Sequence, residues 1–199
     1  MKLVAHSFIN ASGLYVNGTR QIDLTGEENF LKKAYSELNI DYSKFHKMDN
    51  LSKLAFLATE LMNEVVSFPA EGEGMQLIFA NQSSSKQTDM RFIDSYANQG
   101  SPSPSLFVYT LPNIVTGELC IRHKWYGENT FFIQPAFQSA QFIEQAELAF
   151  SKGNTQCLCA WVDAKWQGNE ECFLFLIDHS EGLLKPTELL EIYKSYTHE

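Results

Sequence analysis

Long apolar runs are missing from these 199 residues. No stretch approaches the ~18 apolar residues that a bilayer span needs, so no membrane span is expected. The opening MKLVAHSFINASG is broken by His6 and Ser7, which makes it too short and polar for a secretory leader. A cytoplasmic protein is the expectation. Positive charge is scarce as well: 15 Lys and Arg stand against 24 Asp and Glu, a formal net charge of -9. Nonspecific nucleic-acid binding needs clustered cations, so nucleic acid is not an expected partner. Cysteine is thin: Cys120, Cys157, Cys159 and Cys172 form no C-x-x-C pair and accompany no histidine set at zinc spacing. Reduced thiols follow, with no metal and no other cofactor expected. G-x-G-x-x-G, the P-loop and G-x-S-x-G are all absent, which removes the usual local marks of nucleotide and hydrolase sites.

What is present argues for a folded protein. Hydrophobic residues make up 44% and charged ones 20%, a balance that excludes disorder and suits one domain over 1–199. KLVAHSFINA reads as a first strand, followed by a polar loop, SGLYVNGTRQIDLTGEE. Thr25 and Glu28 have capping-box spacing before the helix NFLKKAYSEL. DNLSKLAFLATELMNEVV places Leu51, Leu54, Leu57, Ala58, Leu61 and Val65 on one helical face, with Asp49 or Asn50 to cap it. EGEG breaks the chain before a short buried strand, MQLIFANQ. A helix over SSSKQTDMRFIDSYAN, a loop QGSPSPSLF and a helix NIVTGELCIRHKW follow. Gly117 inside that last helix suggests close approach of another backbone. Strand 130–134, helix 138–152, strands 155–162 and 171–178, and a C-terminal amphipathic helix KPTELLEIYKSY complete the pattern. Alternating strands and helices predict an α/β layered domain.

Four local motifs invite a chemical reading, and each has a plainer one. Ser83 and Lys86 have S-x-x-K spacing without the partner motifs of acyl-enzymes, so a polar helix cap is expected. Cys157 and Cys159 alternate on a strand and face one side, as buried small hydrophobes do. Asp178-His179-Ser180 holds triad residue types, but adjacent residues on an extended chain point apart. His123 is expected as a cation at a helix C-terminus. Spacing alone names no chemistry.

The stretch NTFFIQPAFQSAQF, 129–142, raises a different question. It reads as a strand running into a helix, a corner where helix N–H groups can stabilise a thiolate or oxyanion. Ala136 and Phe137 occupy it, and neither is a nucleophile. KMDNLSKLA at 47–55 resembles the opening of an early helix in elongating β-ketoacyl-acyl carrier protein synthases, of the thiolase-like superfamily. SPSLFVYTLPNIVTGELCIRHKWYGE at 103–128 is similar to their Ser-Pro … Asn-x-x-x-Gly … Gly-Pro segment. Asn113, Gly117 and Gly127 hold the matching places, and Glu128 replaces the usual Pro. Gly127 and Gly153 bracket the interval that carries the nucleophile in such enzymes. This puts Ala136 in the cysteine slot; a shift of one residue would put Phe137 there.

The resemblance implies a thiolase-like half-domain, a five-stranded mixed sheet sandwiched by helices. Strands 2–9, 75–81, 129–134 and 155–163 would be mutually parallel. Strand 171–178 would be antiparallel, since its connection is too short for a crossover helix. It also implies no catalytic residue, because a thioester mechanism needs the thiolate and the family's C-terminal half supplies a His-His-Lys set. Phe137 would mark the acyl-pocket position. The expected role is a non-catalytic, chain-length-factor-like partner in bacterial fatty-acid or polyketide synthesis. A stand-alone interaction module and an acyltransferase with a relocated nucleophile are the alternatives. The expected partners are a second copy or an intact ketosynthase, joined through edge strand 130–134, and also acyl carrier protein. Thr130→Pro is the expected block on pairing, provided its N–H faces the partner.

Overall fold

The computed structural model describes residues 1–69, 72–98 and 100–197. Glu71 of the EGEG break and Gln99 of the QGSPSPSLF loop lie outside the described residues. Seven strands form one sheet: β1 (Lys2–Asn10), β2 (Gly13–Val16), β3 (Thr19–Asp23), β4 (Met75–Asn81), β5 (Asn129–Ile133), β6 (Gln156–Ala164) and β7 (Glu170–Asp178). Their order is β3-β2-β1-β7-β6-β4-β5. β4 pairs in parallel with β5 and β6, and β7 runs antiparallel between β6 and β1. Strands β1, β4, β5 and β6 therefore share one direction, as the resemblance implies.

Five strands become seven because the supposed polar loop after β1 folds into a hairpin. Asn17 and Gly18 have φ of 47° and 82°, the conformation of a two-residue turn that matches strand twist. Leu14 and Val16 on β2 are buried, which anchors the added strands to the core. Two more expectations fail locally. Thr25 and Glu28 form no capping box: Gly26 turns the chain with φ 79°, and Asn29 caps helix α1 (Phe30–Glu37) by accepting the Lys32 N–H. The Pro/Ser loop contains a short helix, α4 (Pro104–Val108), with Pro104 in its first turn and Ser103 as its cap.

The remaining helices are α2 (Asn50–Asn63), α3 (Lys86–Ala97), α5 (Ile114–His123), α6 (Ser139–Ser151) and α7 (Pro186–Thr197). A 3-10 turn spans Ser43–Lys47. Asp49 caps α2 by accepting the Ser52 N–H at 2.9 Å. Leu51, Leu54, Leu57, Ala58 and Leu61 are buried as their period requires, whereas Val65, beyond the helix end, is 50% exposed. One sheet face packs against α1, α2 and α5. The other carries Phe8, Trp161, Phe173 and Phe175 under α6 and α7. Helices on both faces complete a layered α/β/α arrangement.

Candidate functional site

β4, β5 and β6 end together at their carboxyl ends, the side of an open α/β sheet where ligands gather. The Gln134 N–H donates to the Asn81 carbonyl at 2.8 Å, extending the β5–β4 ladder to the corner. Asn81 in turn holds the Ser84 backbone through both its amide atoms, at 2.9 Å each. Asp163, at the end of β6, accepts the Ser83 N–H at 3.1 Å. Pro135 and Ala136 are exposed, and Phe137 turns inward just ahead of α6.

Phe137 is 8% exposed and packs among rings. Its centroid lies 4.6 Å from Tyr193, 5.5 Å from Phe142 and 5.6 Å from Phe173. Tyr193 reaches over from α7 and donates to Glu171 Oε1 at 2.7 Å, an oxygen that also accepts from Trp161 Nε1 at 3.2 Å. Burial first, then Glu171, pushes the Tyr193 hydroxyl pKa well up, so it stays a donor. What remains open at the corner is a cavity of about 300 Å³, lined by Ala136, Phe137, Trp161, Asp163 and Glu171 among others. Ala136 offers it a methyl group. The first turn of α6 faces the corner; its Ser139 is buried, and neither Ala136 nor Phe137 ahead of it carries a nucleophilic atom.

The other sequence candidates are placed elsewhere. Gly127 meets a real constraint: a Cβ there would stand 2.2 Å from the Met75 carbonyl oxygen. Gly117 does not: among the described residues nothing outside its own helix backbone lies within 4 Å of its Cβ position, so the expected close approach is not seen there. Asn113 precedes α5 without capping it through its side chain, and Gly153 turns the chain after α6 with φ 96°. Ser85 sits at the N-cap of α3, but its hydroxyl goes to the Thr110 carbonyl at 2.6 Å instead of the helix amides. Asp178 accepts both the N–H and the hydroxyl of Ser180, a local turn at the end of β7. The His179 ring lies against Phe150. Cys157, Cys159 and Cys172 are buried, and desolvation raises the Cys157 thiol to about 12.

His123 is not a helix-end cation. Burial lowers its pKa to about 4, although Glu60 pulls the other way. Glu60 is 3.4 Å from the ring but already forked by Arg122 at 2.9 and 2.8 Å, and Trp125 stacks on the imidazole at 4.4 Å. The folded pKa thus lies below the unfolded value of about 6.5. This stabilisation is complete above that value and declines as pH falls toward about 4, because the unfolded chain takes up the proton first. Urea unfolding at pH 7.5 and 5 should differ by up to about 2 kcal/mol from this group. His123→Asn should shrink the difference; an unchanged pH dependence would show that the histidine is not buried neutral.

No family model matches the chain, and no curated protein matches it in sequence. Solved structures do. A chain of the ketosynthase–chain length factor complex from Xenorhabdus doucetiae superposes with a TM-score of 0.65 at 14% identity, over 100% of this chain and 93% of that one. The ishigamide ketosynthase/chain length factor gives 0.59 at 16% identity over 92% of this chain. A chain of a type II polyketide synthase acyl-carrier protein–ketosynthase complex gives 0.59 at 14% over 96%. The fold is thiolase-like. The chain spans 63% and 64% of the latter two. Among the described residues no helix is long and apolar enough to cross a membrane.

Proposed function

We propose that this protein is a non-catalytic, ketosynthase-like partner subunit acting in the manner of a chain length factor. The observation that carries the reading is the corner after β5. In a thiolase-like fold it ends a sheet-edge strand at the carboxyl ends of parallel strands, and it holds Ala136 and Phe137. By this reading Ala136 stands in the nucleophile slot and Phe137 occupies the acyl-pocket position. Asn113, Gly117, Gly127 and Gly153 are the inherited frame. The ketosynthase and chain-length-factor complexes among the structural neighbours support an intact ketosynthase as partner, and acyl carrier protein as a further one. A relocated thiol nucleophile draws little support, because Cys157, Cys159 and Cys172 are buried and burial raises the pKa of all four thiols, the half-buried Cys120 on α5 included.

Purified protein given acyl- and malonyl-carrier substrates should form no carbon–carbon bond above a no-protein control. Ala136→Cys should leave condensation at background, because a new thiol supplies no decarboxylating groups. The added thiol should be open to acylation, read as a mass increase, since position 136 is exposed. Condensation by the unaltered chain would overturn the reading.

A further inference from the structure

The two carboxylates whose charge reaches Lys53 are held by other donors. Asp49, one turn earlier on the chain, accepts the Ser52 N–H at 2.9 Å and the Thr88 hydroxyl at 3.0 Å. Glu170, at the start of β7, accepts from Asn50 Nδ2 and Gln87 Nε2 at 2.7 and 2.5 Å, both on Oε1. Lys53 itself is half-buried in the first turns of α2. Among the described residues no acceptor pairs with its Nζ, which stands 5.7 Å from the Phe45 ring centroid. That nitrogen is not sealed in the interior; it opens on a cavity of about 330 Å³. Glu28, Lys32, His46 and the rings of Phe30 and Phe45 line the same space. Burial first, then the like charge of Arg91 on α3, lowers the Lys53 pKa against the pull of Asp49 and Glu170.

A half-buried ammonium with no acceptor, facing a ring and another cation, is disfavoured relative to the neutral amine. The neutral form carries the lone pair that attacks carbonyl carbon, and desolvation is a known way to raise its share. We propose that Lys53 is an acyl-acceptor site, modified on Nζ by an activated acyl group, either a thioester or an acyl phosphate. The amine adds to the carbonyl carbon, so that a C–N bond forms as the C–S or C–O bond to the carrier breaks. Thiolate or phosphate leaves, the nitrogen gives its surplus proton to solvent, and an uncharged amide remains. Phe30 and Phe45 offer the acyl group an apolar wall, and the cavity has room for a short one. The site requires no ketosynthase, so it stands or falls apart from the partner-subunit reading.

Acetylation of the full chain at about pH 8, below the ordinary lysine pKa, tests it in two arms: an S-acetyl thioester of N-acetylcysteamine, and acetyl phosphate. Peptide mass spectrometry follows each lysine with time. Lys53 should react at least about fivefold faster than Lys32, the exposed lysine of the same cavity, in one arm or both. The faster arm names the donor. In denaturing urea the two rates should converge, because the difference comes from the fold. Arg91→Gln removes the neighbouring charge at an exposed position, and should slow Lys53 while leaving Lys32 unchanged. Lys53 reacting no faster than Lys32 in both arms would overturn the proposal. So would a rate advantage that persists in urea, or one that a folded Arg91→Gln variant leaves untouched.

Discussion

Gly127→Ala is expected to lower stability by about 3 kcal/mol or more, enough to lose roughly 6–12 °C in melting temperature. The added Cβ would lie 2.2 Å from the Met75 carbonyl oxygen and 3.0 Å from that of Glu73. Both are main-chain atoms at the start of β4, so no side chain can rotate away. The segment cannot easily move either: the Tyr126 N–H donates to the Gly72 carbonyl at 2.8 Å, and the Gly72 N–H donates to the Lys124 carbonyl at 3.0 Å. Trp125, 1% exposed, is pinned between these contacts. Gly117→Ala provides the contrast. Its Cβ position is open and lies within α5, where alanine should raise stability by about 1 kcal/mol. Paired thermal and urea melts read both. Equal effects of the two substitutions would show that Gly127 tolerates a side chain.

These glycines also show what the sequence could and could not disclose. Their place in a motif was legible, but only the tertiary path separates a glycine that makes room from one that does not. Strand directions were legible because loop lengths restrict topology: a five-residue turn joins β6 to β7 and allows only an antiparallel pair. The hairpin of β2 and β3 was missed, although its turn signal was present. Asn17-Gly18 between Leu14-Tyr15-Val16 and Ile22 is a strong two-residue turn signal, hidden by the polar residues around it. At the site, the strand-to-helix corner that holds Ala136 and Phe137 was legible from the pattern of the residues around it. Asp163 left a fainter trace. It continues the alternation Cys157, Cys159, Trp161 on one face of β6, so its burial follows from period two. Its pairing with cavity walls from α7 does not, since Tyr193 and Lys194 lie far along the chain.

Ile133→Pro should abolish association through the sheet edge while leaving the protomer folded. Among the described residues β5 pairs only with β4, at the end of the sheet. The Leu77 N–H donates to the Glu128 carbonyl, and the Gln134 N–H donates to the Asn81 carbonyl. Residues 128 and 134 therefore face β4, and by alternation so do Thr130 and Phe132. Asn129, Phe131 and Ile133 direct their backbone groups to the free edge. Thr130→Pro is consequently the wrong block: it would remove a bond within the sheet and cost up to about 3 kcal/mol. Ile133 is 55% exposed, so its replacement sacrifices little core packing. An uncovered edge with Phe131, Phe132 and Ile133 beside it is a template for a second strand, and a two-fold pairing of identical edges brings each substitution in twice. Sedimentation at roughly tens of micromolar reads a homodimer, and co-purification with a co-expressed ketosynthase reads a heterodimer. Ile133→Pro should be monomeric and partner-free with a melting temperature close to the unaltered chain, whereas Thr130→Pro should melt earlier. An Ile133→Pro variant that still associates would place the interface on another face of the molecule.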